Sequence, residues 1–327
     1  MKTRAFAQQR RFQKPGFTLV ELLVVITIIG ILAGLALVAI PRAVGTVREG
    51  AITAELAQLE AAVKLYKSDH GAYPPDLNAA VYGTGTLRLA EMTSHLRKIF
   101  PRLSNLDKPS SNGLLEWSDA DDQQAINNMI AAGVISPDAS GNDVDLATIG
   151  PTEAFVLALM GYSSDVEHPL TGAGDRKKYF EFAIERLGDQ DGDYWYEYYP
   201  PSSQAPYVYF NSRSYWDGSS VVARFPLDPS TYSVDIGQAR PYFQQVGATS
   251  GFVNPDSFQI ICAGLDGHFG DYSDDYSANP NPLFAKVYPT GFGSATITPL
   301  TATPYTVDDR DNITNFAQGP LRNKEPE

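Results

Sequence analysis

The chain has one cysteine, Cys262, in 327 residues. An internal disulfide is therefore excluded, whatever the redox state of the compartment. Set within Ile260-Ile261-Cys262-Ala263, the thiol reads as a small buried apolar group. Basic residues are also in deficit: 25 Lys and Arg against 38 Asp and Glu leave a formal net charge of −13. An acidic surface argues against nucleic-acid binding, which requires a basic footprint. Histidines are few, and His70, His95, His168 and His268 lie far apart. No HExxH, CxxC, nucleophile elbow or phosphate loop occurs, so no local signature of catalysis is present. One absence is confined to the N-terminus. Residues 1–16 contain no acid, yet they carry Lys2, Arg4, Arg10, Arg11 and Lys14.

The segment after those basic residues is apolar. Phe17 to Ile40 holds a single charge, Glu21. As a helix rising about 1.5 Å per residue it would extend about 36 Å, enough to cross a hydrocarbon core of about 30 Å. An acid at mid-helix costs on the order of 2.5–3.5 kcal/mol on insertion scales. Glu21 lies near the end, where the cost is smaller, but it still calls for a partner. The basic residues ahead of the run predict a cytoplasmic N-terminus and an exported bulk. An ordinary signal peptide has a shorter apolar core, of about 7–15 residues, with a small-residue site after it. Ala43-Val44-Gly45 offers such a site, so that alternative stays open, as does a plain membrane anchor.

Lys14-Pro15-Gly16-Phe17-Thr18-Leu19-Val20-Glu21 resembles the processing motif of type IV prepilins and, more closely, of the pseudopilins of type II secretion. The resemblance covers residues 11–40 and continues loosely to Pro75. It implies that residues 1–16 are a leader removed by a prepilin peptidase. Gly16 is then the cleavage residue, Phe17 the new and methylated terminus, and Glu21 the assembly carboxylate. The physics agrees with that assignment. Cutting after Gly16 creates an amine at the start of a membrane helix, and a neighbouring Glu21 can neutralise it where the dielectric is low. The implied partners are the peptidase, copies of the chain, other pseudopilins and an inner-membrane secretion platform. The implied location is the inner membrane, single pass, with a periplasmic head and assembly into a periplasmic filament. A type IV pilin of a surface or DNA-uptake pilus is the nearest alternative. A membrane-anchored extracytoplasmic enzyme or binding protein is the alternative of another class.

Beyond the membrane segment, residues 41–71 continue as an amphipathic half-helix. Ile52, Leu56, Leu59, Val63 and Tyr66 make one apolar stripe. Glu60 and Lys64 stand one i,i+4 step apart on another face. Gly71 and Pro74-Pro75 end the element. Pro41, Gly45 and Gly50 predict a kink or a melted stretch over 38–50. Gly30 and Gly34 form a small-xxx-small pair, readable as a close-packing face or as two flexible residues.

Residues 72–327 read as an α+β head: the long helix packed on a C-terminal antiparallel sheet, with an insertion over 76–255. Helices are predicted over 87–100, 121–132 and 152–160. Strands are predicted in the aromatic runs Tyr194–Tyr199 and Tyr207–Phe210 and, most firmly, in Phe258–Ala263. The aromatic density of 194–216 suggests core and sheet surface ahead of a carbohydrate site. Asp189-Gln190-Asp191-Gly192-Asp193 resembles the start of an EF-hand but lacks the glycine at the sixth place and the glutamate at the twelfth. The loop 263–316 resembles the calcium loop of the major pseudopilin. The first half runs from Phe258 through Gly264-Leu265-Asp266-Gly267-His268 to Gly270 and the second from Asp308 through Asp309, Asp311, Asn312 and Thr314 to Phe316, separated by residues 271–307. The resemblance implies calcium held by Asp266 and Asp311, with Asp309, Asn312 and Thr314 as further ligands. The alternative is a long surface loop whose acids are simply solvated.

Overall fold

A computed structural model describes residues 17–83, 85–104, 113–218, 221–227, 231–246, 249–270, 284–288, 296–297, 300–303 and 309–325. The chain divides into two units, 1–47 and 48–327. Five α-helices are described: α1 Leu19–His70, α2 Ala79–Tyr82, α3 Gly85–Ile99, α4 Ala120–Ala131 and α5 Pro151–Met160. The architecture is α+β, a long N-terminal apolar helix with C-terminal sheets.

In the first unit, every residue from Phe17 to Val44 except Ala36 is exposed. Thr18 caps α1, and the helix runs through Pro41, Gly45 and Gly50 without interruption. The expected melted stretch over 38–50 is therefore absent. A proline deletes one N–H and a glycine costs about 1 kcal/mol, penalties that the i→i−4 bonds on either side outweigh. α1 is the one helix among the described residues long and apolar enough to cross a membrane.

In the second unit, the buried face of α1 is Ile52, Leu56, Leu59, Ala62, Val63 and Tyr66, the predicted stripe with one alanine added. Burying each large aliphatic side chain contributes about 1.5–3 kcal/mol. Lys64 meets Glu60 at 2.6 Å on the opposite face, and Gly71, at φ +75°, ends the helix. α3 buries Leu89, Met92, His95 and Leu96, and α4 buries Ile126 and Met129. All ten residues of α5 are buried, Thr152 and Glu153 included, and its last seven residues are apolar on every face. α5 is a wall between two cores. Ala154 and Leu157 join α3 and α4, while Phe155, Val156, Leu159 and Met160 join the α1 stripe.

The short strands β1 Leu114–Leu115 and β2 Val144–Asp145 pair beside α4, and β3 Leu187–Gly188 pairs with β4 Glu197–Tyr198. Of the predicted aromatic run at 194–199, only β4 is a strand. The central sheet contains β5 Val208–Asn211, β8 Phe258–Cys262, β12 Ile313–Thr314 and β13 Gly319–Pro320. Its order is β13-β12-β8-β5 and all its pairs are antiparallel. Tyr209, Phe258, Ile260, Cys262 and Ile313 face the α1 stripe, whereas Val208, Phe210 and Ile261 face a third core. Both faces are covered, so β5 and β8 show no apolar–polar alternation and even Asn211 and Gln259 are buried.

A second, mixed sheet is not anticipated by the sequence reading. β6 Tyr242–Val246, β7 Thr249–Phe252, β9 Phe284–Val287, β10 Thr296–Ile297 and β11 Leu300–Thr303 lie in the order β10-β11-β9-β6-β7. β9 is parallel to both β6 and β11. Gln259 of β8 ties this sheet to the central one. Its Oε1 accepts from the Tyr242 N–H at 2.7 Å, and its Nε2 donates to the Tyr242 and Val253 carbonyls at 3.0 and 2.8 Å.

Candidate functional site

The first functional element is the start of α1. Gly16 lies outside the described residues. Phe17 is 79% exposed and precedes the cap. Glu21 Oε2 accepts from both the Thr18 N–H and the Thr18 hydroxyl at 2.8 Å, and the Glu21 N–H donates to Thr18 Oγ1 at 3.2 Å. Thr18-x-x-Glu21 is therefore a capping box, a signal written in the sequence spacing but absent from its reading for processing. The box satisfies otherwise orphaned N–H groups at the helix start and supplies a partner for the carboxylate. Both bonds to the carboxylate use Oε2, leaving Oε1 for a further donor. A Cβ added at Gly30 or Gly34 would meet nothing within 4 Å, so neither glycine serves a close approach within the described chain.

The second element is the anchorage of the amphipathic half of α1. Glu55 accepts two hydrogen bonds from the Arg186 guanidinium, one from the Tyr198 hydroxyl at 2.7 Å and one from the Tyr207 hydroxyl at 2.8 Å. Burial pushes the Glu55 carboxyl up, but the bonds from Arg186, Tyr198 and Tyr207 outweigh it and hold the group below its ordinary value. At the helix end, Tyr66 meets His95 Nε2 at 2.7 Å and Tyr162 at 2.9 Å. His70 Nε2 meets the Tyr179 hydroxyl at 2.9 Å. Local sequence patterns do not reveal these hubs, because the partners come from distant segments. The aromatic run is core: Trp195, Tyr198, Tyr199, Tyr207, Tyr209, Phe210 and Tyr215 are buried. Cys262 is buried and reduced.

The proposed calcium ligands separate into two groups. Asp311 Oδ2 accepts from the Leu265 and Asp266 N–H groups at 2.7 and 3.0 Å, closing the turn after β8. Partial burial and the neighbouring Asp311 push the Asp266 carboxyl up to about 6. Asp309 and Asn312 are instead buried against Tyr242, Phe269 and Lys286. Thr314 lies on β12, opposite Ile261. Asn312 Oδ1 and Thr314 Oγ1 are buried without a hydrogen-bond partner among the described residues. Asp271, Asp274, Asp275 and Asp308 lie outside the described residues.

Among the described residues, three carboxylates that can share one ion within 4.8 Å occur only at Asp189, Asp191 and Asp193. That loop is already turned on its own side chains. Asp189 accepts from the N–H groups of Gly192, Asp193 and Tyr194, and Asp193 accepts from that of Trp195. Deeper in, Glu153 Oε1 and Glu197 Oε1 both lie against the Thr152 hydroxyl, at 2.7 and 3.0 Å. Glu197 also accepts from the Tyr199 and Tyr232 hydroxyls. One threonine proton cannot serve two carboxylates, so one glutamate of the pair carries a proton of its own. Burial, only partly offset by these hydroxyls, raises Glu197 to about 7, and burial with Glu197 nearby raises Glu153 as well.

No curated protein and no solved structure matches the chain. Residues 11–37 match the family model of the prokaryotic N-terminal methylation motif, so the chain carries, on its apolar N-terminal helix, the signature typical of type IV pilin-like proteins.

Proposed function

We propose that the protein is a structural subunit of a pilus-like filament, the pseudopilus of a type II secretion system. The observation that carries this reading is the methylation motif at the start of α1, whose exposed apolar segment, 17–40, has one carboxylate, held by the helix cap. A prepilin peptidase cuts after Gly16, and the Phe17 amine is methylated. The segment 17–40 anchors the subunit in the inner membrane with its head in the periplasm. Assembly moves that apolar surface from lipid into a bundle of like helices. Glu21 keeps its capping bonds in the single subunit and offers Oε1 to the Phe17 amine of a neighbouring copy. The buried lone Cys262 supports the pseudopilus ahead of pilins that close a loop with a disulfide.

Replacing Glu21 with alanine removes the docking carboxylate but not the insertion signal. Glu21→Ala should therefore be inserted and cleaved normally, while crosslinking shows loss of filament incorporation. Wild-type incorporation of that variant would contradict the docking role. Deletion of the chain should halt secretion of folded exoproteins and leave surface piliation and DNA uptake unchanged. The reverse pattern would assign the subunit to a surface pilus.

A further inference from the structure

We propose that the ammonium of Lys286 is the resident cation beside Asp309 and Asn312, two of the residues to which the resemblance gives a calcium ion. Lys286 is carried by β9 and is 3% exposed; its Nζ lies 2.5 Å from Oδ1 of Asp309, which is 1% exposed. The same Nζ donates to the Phe269 carbonyl. The Tyr242 hydroxyl donates to Asp309 Oδ1 at 3.3 Å. Asn312 Nδ2 donates to the Phe269 carbonyl at 3.1 Å and reaches Asp309 Oδ1 at 3.4 Å. Gly270, at φ +94°, closes the site from the side: a Cβ there would stand 2.7 Å from Nζ and 2.9 Å from Asp309 Oδ1.

Calcium requires six to eight oxygens at about 2.3–2.6 Å. Here Oδ1 of Asp309 and the Phe269 carbonyl are faced by N–H and O–H donors, whose hydrogens take the side an ion would approach. Asn312 turns its amide nitrogen to them, and its orphaned oxygen belongs to the other edge of the amide. Asp309 and Asn312 therefore do not fit a calcium site. They fit an ammonium, which brings its own three donors. The chain supplies that ammonium from the segment 271–307, the stretch that parts the two halves of the loop. A lysine cannot dissociate as an ion can, so the link from β9 to the turn before β12 persists at any calcium concentration. This inference is independent of the filament reading.

The test uses the full-length protein extracted in detergent, with thermal unfolding followed in EGTA and in millimolar calcium chloride. Wild type should melt within about 1 °C in the two buffers. Lys286→Met should lose several degrees, since it strands a buried carboxylate. Lys286→Met combined with Asp309→Asn should regain more than half of that loss, because the pair acts as a unit. The double variant keeps the question decidable if the single one does not fold. An unaltered melting temperature in Lys286→Met, or no recovery in the double variant, would overturn the assignment. So would a calcium gain in wild type that Asp309→Asn abolishes.

Discussion

Glu55 and Glu197 show how the same functional group is used in opposite senses. Glu55 meets a guanidinium and two phenols, so its folded form prefers the carboxylate. A depressed pKa contributes stability that is present above the ordinary carboxylate range, near 4.5, and is lost as pH falls through the lowered value. Glu55→Ala leaves Arg186 without its main acceptor and should cost about 3 kcal/mol at neutral pH, with the difference shrinking toward pH 3. Chemical denaturation of the detergent-solubilised protein at several pH values reads this directly. Glu197 binds its proton more tightly when folded, at about 7, so the fold loses stability as pH rises from about 4.5 to 7 and then levels off. Glu197→Gln should therefore melt with wild type at pH 4 and above it at pH 8. A variant that melts below wild type at pH 8 would show that Thr152, Tyr199 and Tyr232 require the charge. Neither hub is visible in the sequence: Arg186 and Tyr207 lie 131 and 152 residues beyond Glu55.

At the scale of elements, legibility tracks local periodicity. The spacing of Ile52, Leu56, Leu59, Val63 and Tyr66 places a helical face, and each of these side chains is buried. α3, α4 and α5 begin and end within two residues of the predicted ranges, because their apolar positions recur with the helical period. Leu59, fully buried in the core shared with α5 and the central sheet, gives a direct check. Leu59→Ala should destabilise the second unit by about 2–5 kcal/mol, whereas Leu65→Ala, on the exposed face, should cost less than about 0.5 kcal/mol. Strands are less legible. The aromatic run 194–199 is rich in strand formers but yields only β4, since its tyrosines are used for packing and hydroxyl bonds more than for pairing. The mixed sheet is hidden for a different reason: β10 and β11 are short, and the parallel pairing of β6 with β9, Tyr242 opposite Lys286, joins segments distant in sequence. Pro41 departs in the other direction, as the helix tolerates one missing donor.

At the scale of the whole molecule, two statements are joined by one chain. The N-terminal unit presents an apolar surface that water will not tolerate, headed by a capped carboxylate and a methylation motif. Large exposed apolar surfaces mark contact with lipid or with partner proteins. The second unit closes around its own cores. The N-terminal part is the most legible, because the methylation motif and the apolar run are written in contiguous residues. The carboxylate sites of the head are the least legible, because their geometry depends on which distant segment arrives beside them. Asp309 is the example: its neighbours in sequence suggest a metal loop, and its neighbour in space is a lysine.

Intact mass analysis of the protein extracted from its native membrane tests the central claim most directly. The filament account predicts a polypeptide that begins at Phe17, carries one added methyl group and retains everything through Ile40. A mature form that still holds residues 1–16, or one that has lost the apolar helix, would contradict it.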